Sequence, residues 1–342
     1  MRKLAVVVGI LAAALFAWVV AARSGALDSD PAEALARYGA KPSQFVVIDG
    51  TRLHFRDEGR GPVLVLRASL QQWDGWVAQL GSKFRIIRVD AFAHGLTGPD
   101  GRDDYSAERQ LQLLDALLQR LGVERFVLGG TSGGATEAVR YTVLHPERVE
   151  KLVLSTVPLR LPNAPRTQPF DRAVFWFHDA VLRSYGTDLY WRTFLRSIFG
   201  DPDEVTDEMV TRYRILNTQP GQQQRFRTRI ATWRASGGPE RDFALAAQVQ
   251  VPVLLQWGGA GPVLPQELHC TIASAFSAAP VRVITYPEVG HKLVMEDPVR
   301  TAQDALGFIV DGTGGTSCPP AAAPAAASAP ARSEDSVAAS SR

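Results

Sequence analysis

The sequence has 342 residues, of which 46% are hydrophobic and 21% charged, and its formal net charge is +2. This length and balance predict one large globular domain or two small ones. The near-neutral charge argues against nucleic-acid binding, which needs a concentrated basic stripe. Two cysteines, Cys270 and Cys318, predict no disulfide framework, and with six histidines that lack ligand spacing they predict no metal cluster.

The N-terminal segment is apolar. The chain begins Met1-Arg2-Lys3, and the 19 residues from Leu4 to Ala22 carry no charge. As a helix they would span about 28 Å, close to the hydrocarbon core of a bilayer. The segment is either an uncleaved membrane anchor with its basic end in the cytoplasm, which its length favours, or a signal peptide cut near Ala22 or Ser24. Either way the following domain is exported, and it is membrane-anchored in the first case and secreted or periplasmic in the second.

Strand-like segments recur from residue 43 onwards, after a polar, Ala-rich linker at residues 23–42. Asp49-Gly50-Thr51 is typical of a hairpin turn between the first two strands. Lys151–Val157 is a continuous apolar run, which favours a central parallel strand covered on both faces. The predicted strands are Gln44–Asp49, Arg52–Asp57, Pro62–Leu66, Phe84–Asp90, Arg125–Gly130, Lys151–Val157, Val251–Trp257 and Val281–Tyr286.

Helical patterns alternate with these strands, as in Ser106–Leu121, whose leucines fall on one face. The other predicted helices of this alternating part are Gly134–Leu144, Glu267–Phe276 and Thr301–Val310. Alternation of this kind predicts an α/β fold, with a doubly wound, mostly parallel, eight-stranded sheet over residues 43–311.

From about residue 159 to 243 helical patterns rich in aromatic residues and arginine replace the strand signals. We expect a helical lid inserted into the sheet domain, with Thr206 capping a helix at Asp207–Leu216. The lid aromatics either hold it to the core or line an apolar pocket; they are Phe175, Trp176, Phe177, Tyr190, Trp191 and Phe194. The last residues, 312–342, are rich in Ala, Pro and Ser, and we expect them to be disordered and removable without loss of fold.

A candidate catalytic serine lies in Gly130-Thr131-Ser132-Gly133-Gly134, between a predicted strand and a predicted helix. The G-x-S-x-G pattern is typical of a nucleophile elbow, a sharp turn whose strained serine needs small neighbours. The turn would place the Gly133 N–H at a helix N-terminus, where developing negative charge is stabilised. Alone, the pattern fits a glycine-rich turn without chemistry equally well. His291 follows the last predicted strand and supplies a possible base downstream of the serine.

Residues 44–310 resemble the α/β-hydrolase fold superfamily, above all its lidded branch of esterases, epoxide hydrolases and haloperoxidase-like proteins. The motifs that carry the resemblance are Trp73-Asp74-Gly75-Trp76, Asp90, His94-Gly95, the elbow around Ser132, Gly290-His291 and Glu296-Asp297-Pro298.

The resemblance implies that Ser132 is the nucleophile, with His291 as its general base. A serine hydroxyl is a weak nucleophile at neutral pH and needs a base within hydrogen-bond reach, and histidine titrates near that pH. The resemblance also implies an oxyanion hole of backbone N–H groups, from Gly133 and from the loop near Ala68. The substrate would be a small molecule. No cofactor is expected, because no Walker loop or dinucleotide fingerprint occurs.

The triad acid is missing from both positions where relatives carry it. Gly261 stands at the usual position after the seventh strand, and Ser155-Thr156-Val157-Pro158 follows the sixth strand without a carboxylate. Glu288 and Glu296 lie near His291 in sequence, but not where the fold presents the acid. Loss of the acid from such a triad costs about 10⁴-fold in rate.

Two smaller departures affect the neighbouring loops. Relatives have His-Gly where this chain has Arg67-Ala68, and Gly where it has Ala93. Arg67 either points into the pocket and favours an anionic substrate or, as we expect, folds onto the surface.

Three functions stay open at this point. The first is a weak or specialised serine hydrolase acting on small esters. The second is a non-catalytic protein that keeps the pocket to bind a ligand, and the third is a lyase- or haloperoxidase-like activity on the same scaffold.

Overall fold

A computed structural model of the chain describes residues 1–92, 94–162, 168–183, 185–261, 263–312 and 318. Eight strands form one sheet in the order β1-β2-β4-β3-β5-β6-β7-β8. The strands are β1 (Ser43–Ile48), β2 (Thr51–Gly59), β3 (Val63–Ala68), β4 (Arg85–Asp90), β5 (Phe126–Thr131), β6 (Val149–Ser155), β7 (Val253–Gly258) and β8 (Val281–Tyr286). Each lies within a few residues of its predicted position.

The sheet is antiparallel only at its first edge. Strand β1 pairs with β2 through the predicted turn, where Asp49 and Gly50 have φ angles of 50° and 77°. Two successive positive φ angles are typical of the tight turns that match the twist of a hairpin. Strand β2 then pairs antiparallel with β4, and the other neighbours pair in parallel. The predicted doubly wound, mostly parallel sheet is confirmed.

Helices cover both faces of the sheet and alternate residues of its central strands. Along β5, Leu128 packs into one apolar cluster and Val127 into the other. The helices flanking the sheet are α3 (Asp74–Leu80), α4 (Ala107–Arg120), α5 (Gly133–Leu144), α11 (Leu268–Ala275), α12 (Leu293–Glu296) and α13 (Pro298–Asp311).

A helical insertion separates β6 from β7, in the region predicted to be a lid. Its helices are α6 (Pro169–Phe177), α7 (Asp188–Arg196), α8 (Asp207–Asn217), α9 (Gln222–Ala235) and α10 (Gly238–Ala246). Thr206 caps α8 as expected, because its hydroxyl accepts the N–H of Met209 at 3.2 Å. The aromatic residues of the insertion differ in burial. Trp191 is buried with Tyr213 in the insertion's own core, whereas Trp176 is 65% exposed.

Two further helices precede the sheet. Helix α1 (Arg2–Ser24) is, within the described residues, the one helix that is long and apolar enough to cross a membrane. A signal peptide would have the same length and composition. Trp18 near its end stacks on Phe177 of the insertion. Helix α2 (Pro31–Tyr38) lies within the predicted linker. The linker prediction missed this helix, although Asp30 as N-cap and a proline at the first helical position are ordinary helix-start signals.

Cys270 of α11 and Cys318 form a disulfide bond, with their Cα atoms 5.4 Å apart. The cysteine count led us to expect no disulfide framework, and it did not reveal this pair, whose members are 48 residues apart. The other tail residues, 313–317 and 319–342, lie outside the described part of the chain, and so does Ala93.

The disulfide leads to a revised prediction for the tail. A chain that ends at Gly312 lacks Cys318 and should melt several degrees below a chain that ends at Cys318, because a loop-closing disulfide contributes about 2–4 kcal/mol. Melting of both chains by calorimetry, with and without reductant, measures this. Reductant should abolish the difference, and equal melting temperatures without reductant would contradict the prediction.

Candidate active site

Ser132 lies at the sharp turn between β5 and α5, with φ 54° and ψ −129°. Such a backbone is strained for a residue with a side chain, so the surroundings have to impose it. Glycines allow the close approach. A Cβ on Gly130 would lie 2.5 Å from the Gly134 carbonyl oxygen, and one on Gly134 would lie 2.3 Å from the Arg67 carbonyl oxygen. The Ser132 N–H donates to the Ser155 carbonyl at 3.0 Å, which fixes the turn on β6.

His291 faces this serine. Its Nε2 lies 2.9 Å from the Ser132 Oγ. The backbone of His291 is held from two sides, because its N–H donates to the Ile198 carbonyl at 2.8 Å and its carbonyl accepts the Thr156 hydroxyl at 2.8 Å. The ring therefore reaches the serine from a loop that is fixed to both the insertion and the end of β6.

Glu296 organises the histidine loop without touching the ring. Its Oε2 accepts the N–H groups of Gly200 and Gly290 at 2.7 and 2.8 Å, and its Oε1 accepts the Lys292 N–H at 2.9 Å. One carboxylate thus binds three backbone donors around His291. Sequence proximity to the histidine singled out Glu296, but only the structure shows that it acts on the loop backbone.

The second ring nitrogen of His291 contacts no carboxylate of the described residues. Its Nδ1 is buried and finds no hydrogen-bond partner among the described residues. Glu288, the other nearby carboxylate, instead pairs with Arg300 at 2.7 Å. The imidazole therefore lacks the carboxylate that normally fixes its tautomer and stabilises its charged form.

Both positions that could carry the acid lie close to the histidine loop. A Cβ on Gly261, after β7, would lie 3.0 Å from the His291 backbone nitrogen, so an aspartate there fits after a small local shift. After β6, the Thr156 hydroxyl donates to the His291 carbonyl, and the Ser155 hydroxyl donates to Gln256 at 2.9 Å.

Charge and burial set the protonation of His291. Burial lowers its pKa, and the neighbouring Lys292 charge lowers it further, to about 3. The imidazole is therefore neutral at neutral pH and free to accept a proton, but the imidazolium it would form is poorly stabilised.

Gly133 opens α5 directly after the nucleophile. It is exposed, and a Cβ there would meet nothing within 4 Å. The facing loop after β3 is fixed by the buried Asp90, which accepts the Leu70 N–H at 2.8 Å and the Leu96 N–H at 3.1 Å. Ala68 is the last residue of β3, just before this loop, and its backbone nitrogen lies 2.8 Å from the point where a Cβ on Gly134 would stand.

Arg67 does not fold onto the surface, and that expectation is wrong. The side chain is 2% exposed, and its Nη2 donates to Glu137 Oε2 at 2.7 Å. Glu137 also accepts Gln110 at 3.1 Å and Arg229 of the insertion at 3.2 Å. Burial alone would raise the pKa of Glu137, but the two arginine charges hold it below its ordinary value. Arg67 is thus paired inside the protein, and Glu137 joins the sheet domain to the insertion through Arg229.

Comparison with known proteins identifies the family of the fold. The family described as alpha/beta hydrolase fold matches residues 62–298, and the chain belongs to that family. The chain is similar to a putative 2-succinyl-6-hydroxy-2,4-cyclohexadiene-1-carboxylate synthase of Bacillus subtilis, with 27% identity over 268 residues, 74% of this chain and 92% of that protein. A pimeloyl-(acyl-carrier protein) methyl ester esterase of Nitrosomonas europaea is 26% identical over 253 residues, 72% of this chain and 95% of its own length. Among solved structures, Cfl2 from Burkholderia cenocepacia has 25% identity and a TM-score of 0.62, and the match covers 78% of this chain and 95% of that one.

The unpaired Nδ1 leads to a prediction for Gly261→Asp. A carboxylate beside the ring stabilises the imidazolium and so raises the His291 pKa from its low value. The acid limb of the kcat/KM profile for an activated ester should therefore move to higher pH, and the plateau should rise tenfold or more.

Gly261→Asn is the matched control, since it has nearly the same size without the charge. It should leave the acid limb at the wild-type position. Profiles in which Asp and Asn behave alike would show that position 261 does not act on the base.

Proposed function

We propose that this chain is a serine hydrolase acting on small ester-like substrates, with Ser132 as nucleophile and His291 as general base. The observation that carries the proposal is the 2.9 Å approach of His291 Nε2 to the Ser132 Oγ at a strained elbow. A serine–base contact of this length is the arrangement that activates a hydroxyl for attack.

The reaction would proceed through an acyl-enzyme. Ser132 Oγ attacks the ester carbonyl while His291 Nε2 takes the hydroxyl proton, and the tetrahedral oxyanion binds the Gly133 N–H. The loop at Ala68 supplies the second N–H. Collapse of the intermediate expels the alcohol, which receives the proton from His291. Water then repeats the sequence, with the same base, and releases the acid.

We expect the rate of ester hydrolysis to be low or limited to special substrates. Because no carboxylate of the described residues contacts Nδ1, the imidazolium that forms in each proton transfer is poorly stabilised. Loss of such an acid typically slows the reaction about 10⁴-fold. The same observation favours one alternative, a ligand-binding protein that keeps the pocket but no longer turns over. The esterase among the relatives supports the hydrolase, since the match covers 95% of that protein and its name specifies an ester as substrate.

Ser132 labelling separates the two. A fluorophosphonate probe should modify the wild-type protein and not Ser132→Ala, because only an activated serine reacts. Hydrolysis of p-nitrophenyl butyrate should fall to background in the same variant. Ser274→Ala, on the exposed side of α11, is the control and should keep both properties. A wild-type protein that neither labels nor turns over ester would favour the binding protein.

We further propose that α1 anchors the protein in a membrane and leaves the hydrolase domain on the exported side. The helix runs over 23 residues, and its apolar stretch is not buried inside the protein. Its basic start, Arg2-Lys3, fits the cytoplasmic side of a membrane.

Fractionation tests the anchor. The full-length chain should stay with membranes after a carbonate wash, whereas a chain that starts at residue 25 should be released. A mature N-terminus at about residue 23 or 25 in the wild-type protein would instead show that the segment is a signal peptide.

A further inference from the structure

Lys292 follows the candidate base directly and is only 6% exposed. Its Nζ makes one hydrogen bond, at 3.2 Å, to the side-chain oxygen of Gln72. A buried ammonium group ordinarily has a carboxylate partner, because a neutral amide repays little of the lost hydration. Lys292 therefore brings an incompletely compensated positive charge next to the Ser132–His291 pair.

No carboxylate in the described part of the chain lies within ion-pair distance of Lys292 Nζ. The nearest acid in its loop, Glu296, is already occupied by three backbone N–H groups. Burial lowers the pKa of Lys292 to about 8, with Glu296 acting in the opposite direction. The group thus remains mostly protonated at neutral pH.

Gln71, the neighbour of Gln72 in the chain, supplies a second, independent observation. It is 8% exposed, and neither its Nε2 nor its Oε1 has a hydrogen-bond partner among the described residues. Buried amides are nearly always satisfied, so two open atoms on one side chain point to an absent polar ligand. Gln71 and Gln72 share the 3-10 turn Leu70–Trp73, which directly follows the loop at Ala68.

The histidine loop and the turn after β3 meet at this point. Lys292 directly follows the candidate base, its charge acts on His291, and its Nζ reaches Gln72 in that turn. The insertion covers the same region, because Arg212 of α8 pairs with Asp74 at 2.9 Å next to this turn.

We propose that Lys292, with the amides of Gln71 and Gln72, binds a carboxylate group of the substrate beside the Ser132–His291 pair. The ammonium group neutralises the anion and the Gln71 NH₂ group donates a hydrogen bond to it. The preferred substrates are then esters that carry a free carboxylate, such as half-esters of short dicarboxylic acids. This rests on the proposed hydrolase function and specifies its substrate class.

The other buried cations near the site have a carboxylate partner. Arg67 and Arg229 both donate to Glu137, so this group of three keeps one net positive charge, but each arginine is paired. Lys292 has no carboxylate partner among the described residues, so the test substitutes this residue.

The test compares mono-p-nitrophenyl glutarate with p-nitrophenyl valerate, which differ mainly in the terminal carboxylate. The wild-type ratio of kcat/KM, charged over neutral, should exceed ten. In Lys292→Met this ratio should fall at least tenfold, mainly through KM, while Lys292→Arg should keep most of it. Using a ratio removes the change in base strength, because His291 serves both substrates. Lys83→Met, at an exposed position, should leave the ratio at the wild-type value.

A binding measurement keeps the two proposals separate. Monomethyl glutarate should bind Ser132→Ala in calorimetry, and adding Lys292→Met should weaken that binding at least tenfold. Turnover of the neutral ester with no carboxylate preference, or binding indifferent to Lys292, overturns the subsite and leaves the hydrolase intact. Absence of labelling and turnover, with Lys292-dependent binding preserved, overturns the hydrolase and leaves the carboxylate site.

Discussion

The left-handed backbone of Ser132 is the constraint on which the site depends. It is maintained because glycines at positions 130 and 134 let β5, α5 and the end of β3 approach to distances that a Cβ would prevent. That packing fixes the direction of the hydroxyl and the position of the Gly133 N–H together. Every other functional group has to lie close to the Ser132 hydroxyl, and His291 does so from the loop after the edge strand β8.

The electrostatics of the site set it apart from an ordinary triad. His291 is buried beside a positive charge and has no acid on Nδ1, so both influences favour its neutral form. Neutral imidazole suits proton uptake from the serine but opposes the charged intermediate. A substrate carboxylate near Lys292 would offset part of that opposition, since it would place a negative charge close to the ring during the reaction.

Most of the fold could be predicted from the sequence because its signals are local. Apolar runs located the strands, leucine spacing located α4, and the five residues around Ser132 defined the elbow. The features that could not be predicted are those in which a residue's role depends on a partner far away in the sequence. Arg67 and Glu137 are 70 positions apart, so nothing near Arg67 shows that it is buried and paired. Cys270 and Cys318 pose the same problem, and Lys292 looks like any surface lysine until its neighbours are known.

The contacts between the histidine loop and the insertion tie the position of the base to that of the insertion. Both Ile198 and Gly200, just past α7, bond to this loop, one through the His291 N–H and the other through Glu296. A change that displaces this corner of the insertion would remove two of the contacts that hold the imidazole against the serine. The nucleophilicity of Ser132 therefore depends on a part of the chain that contributes no reacting atom.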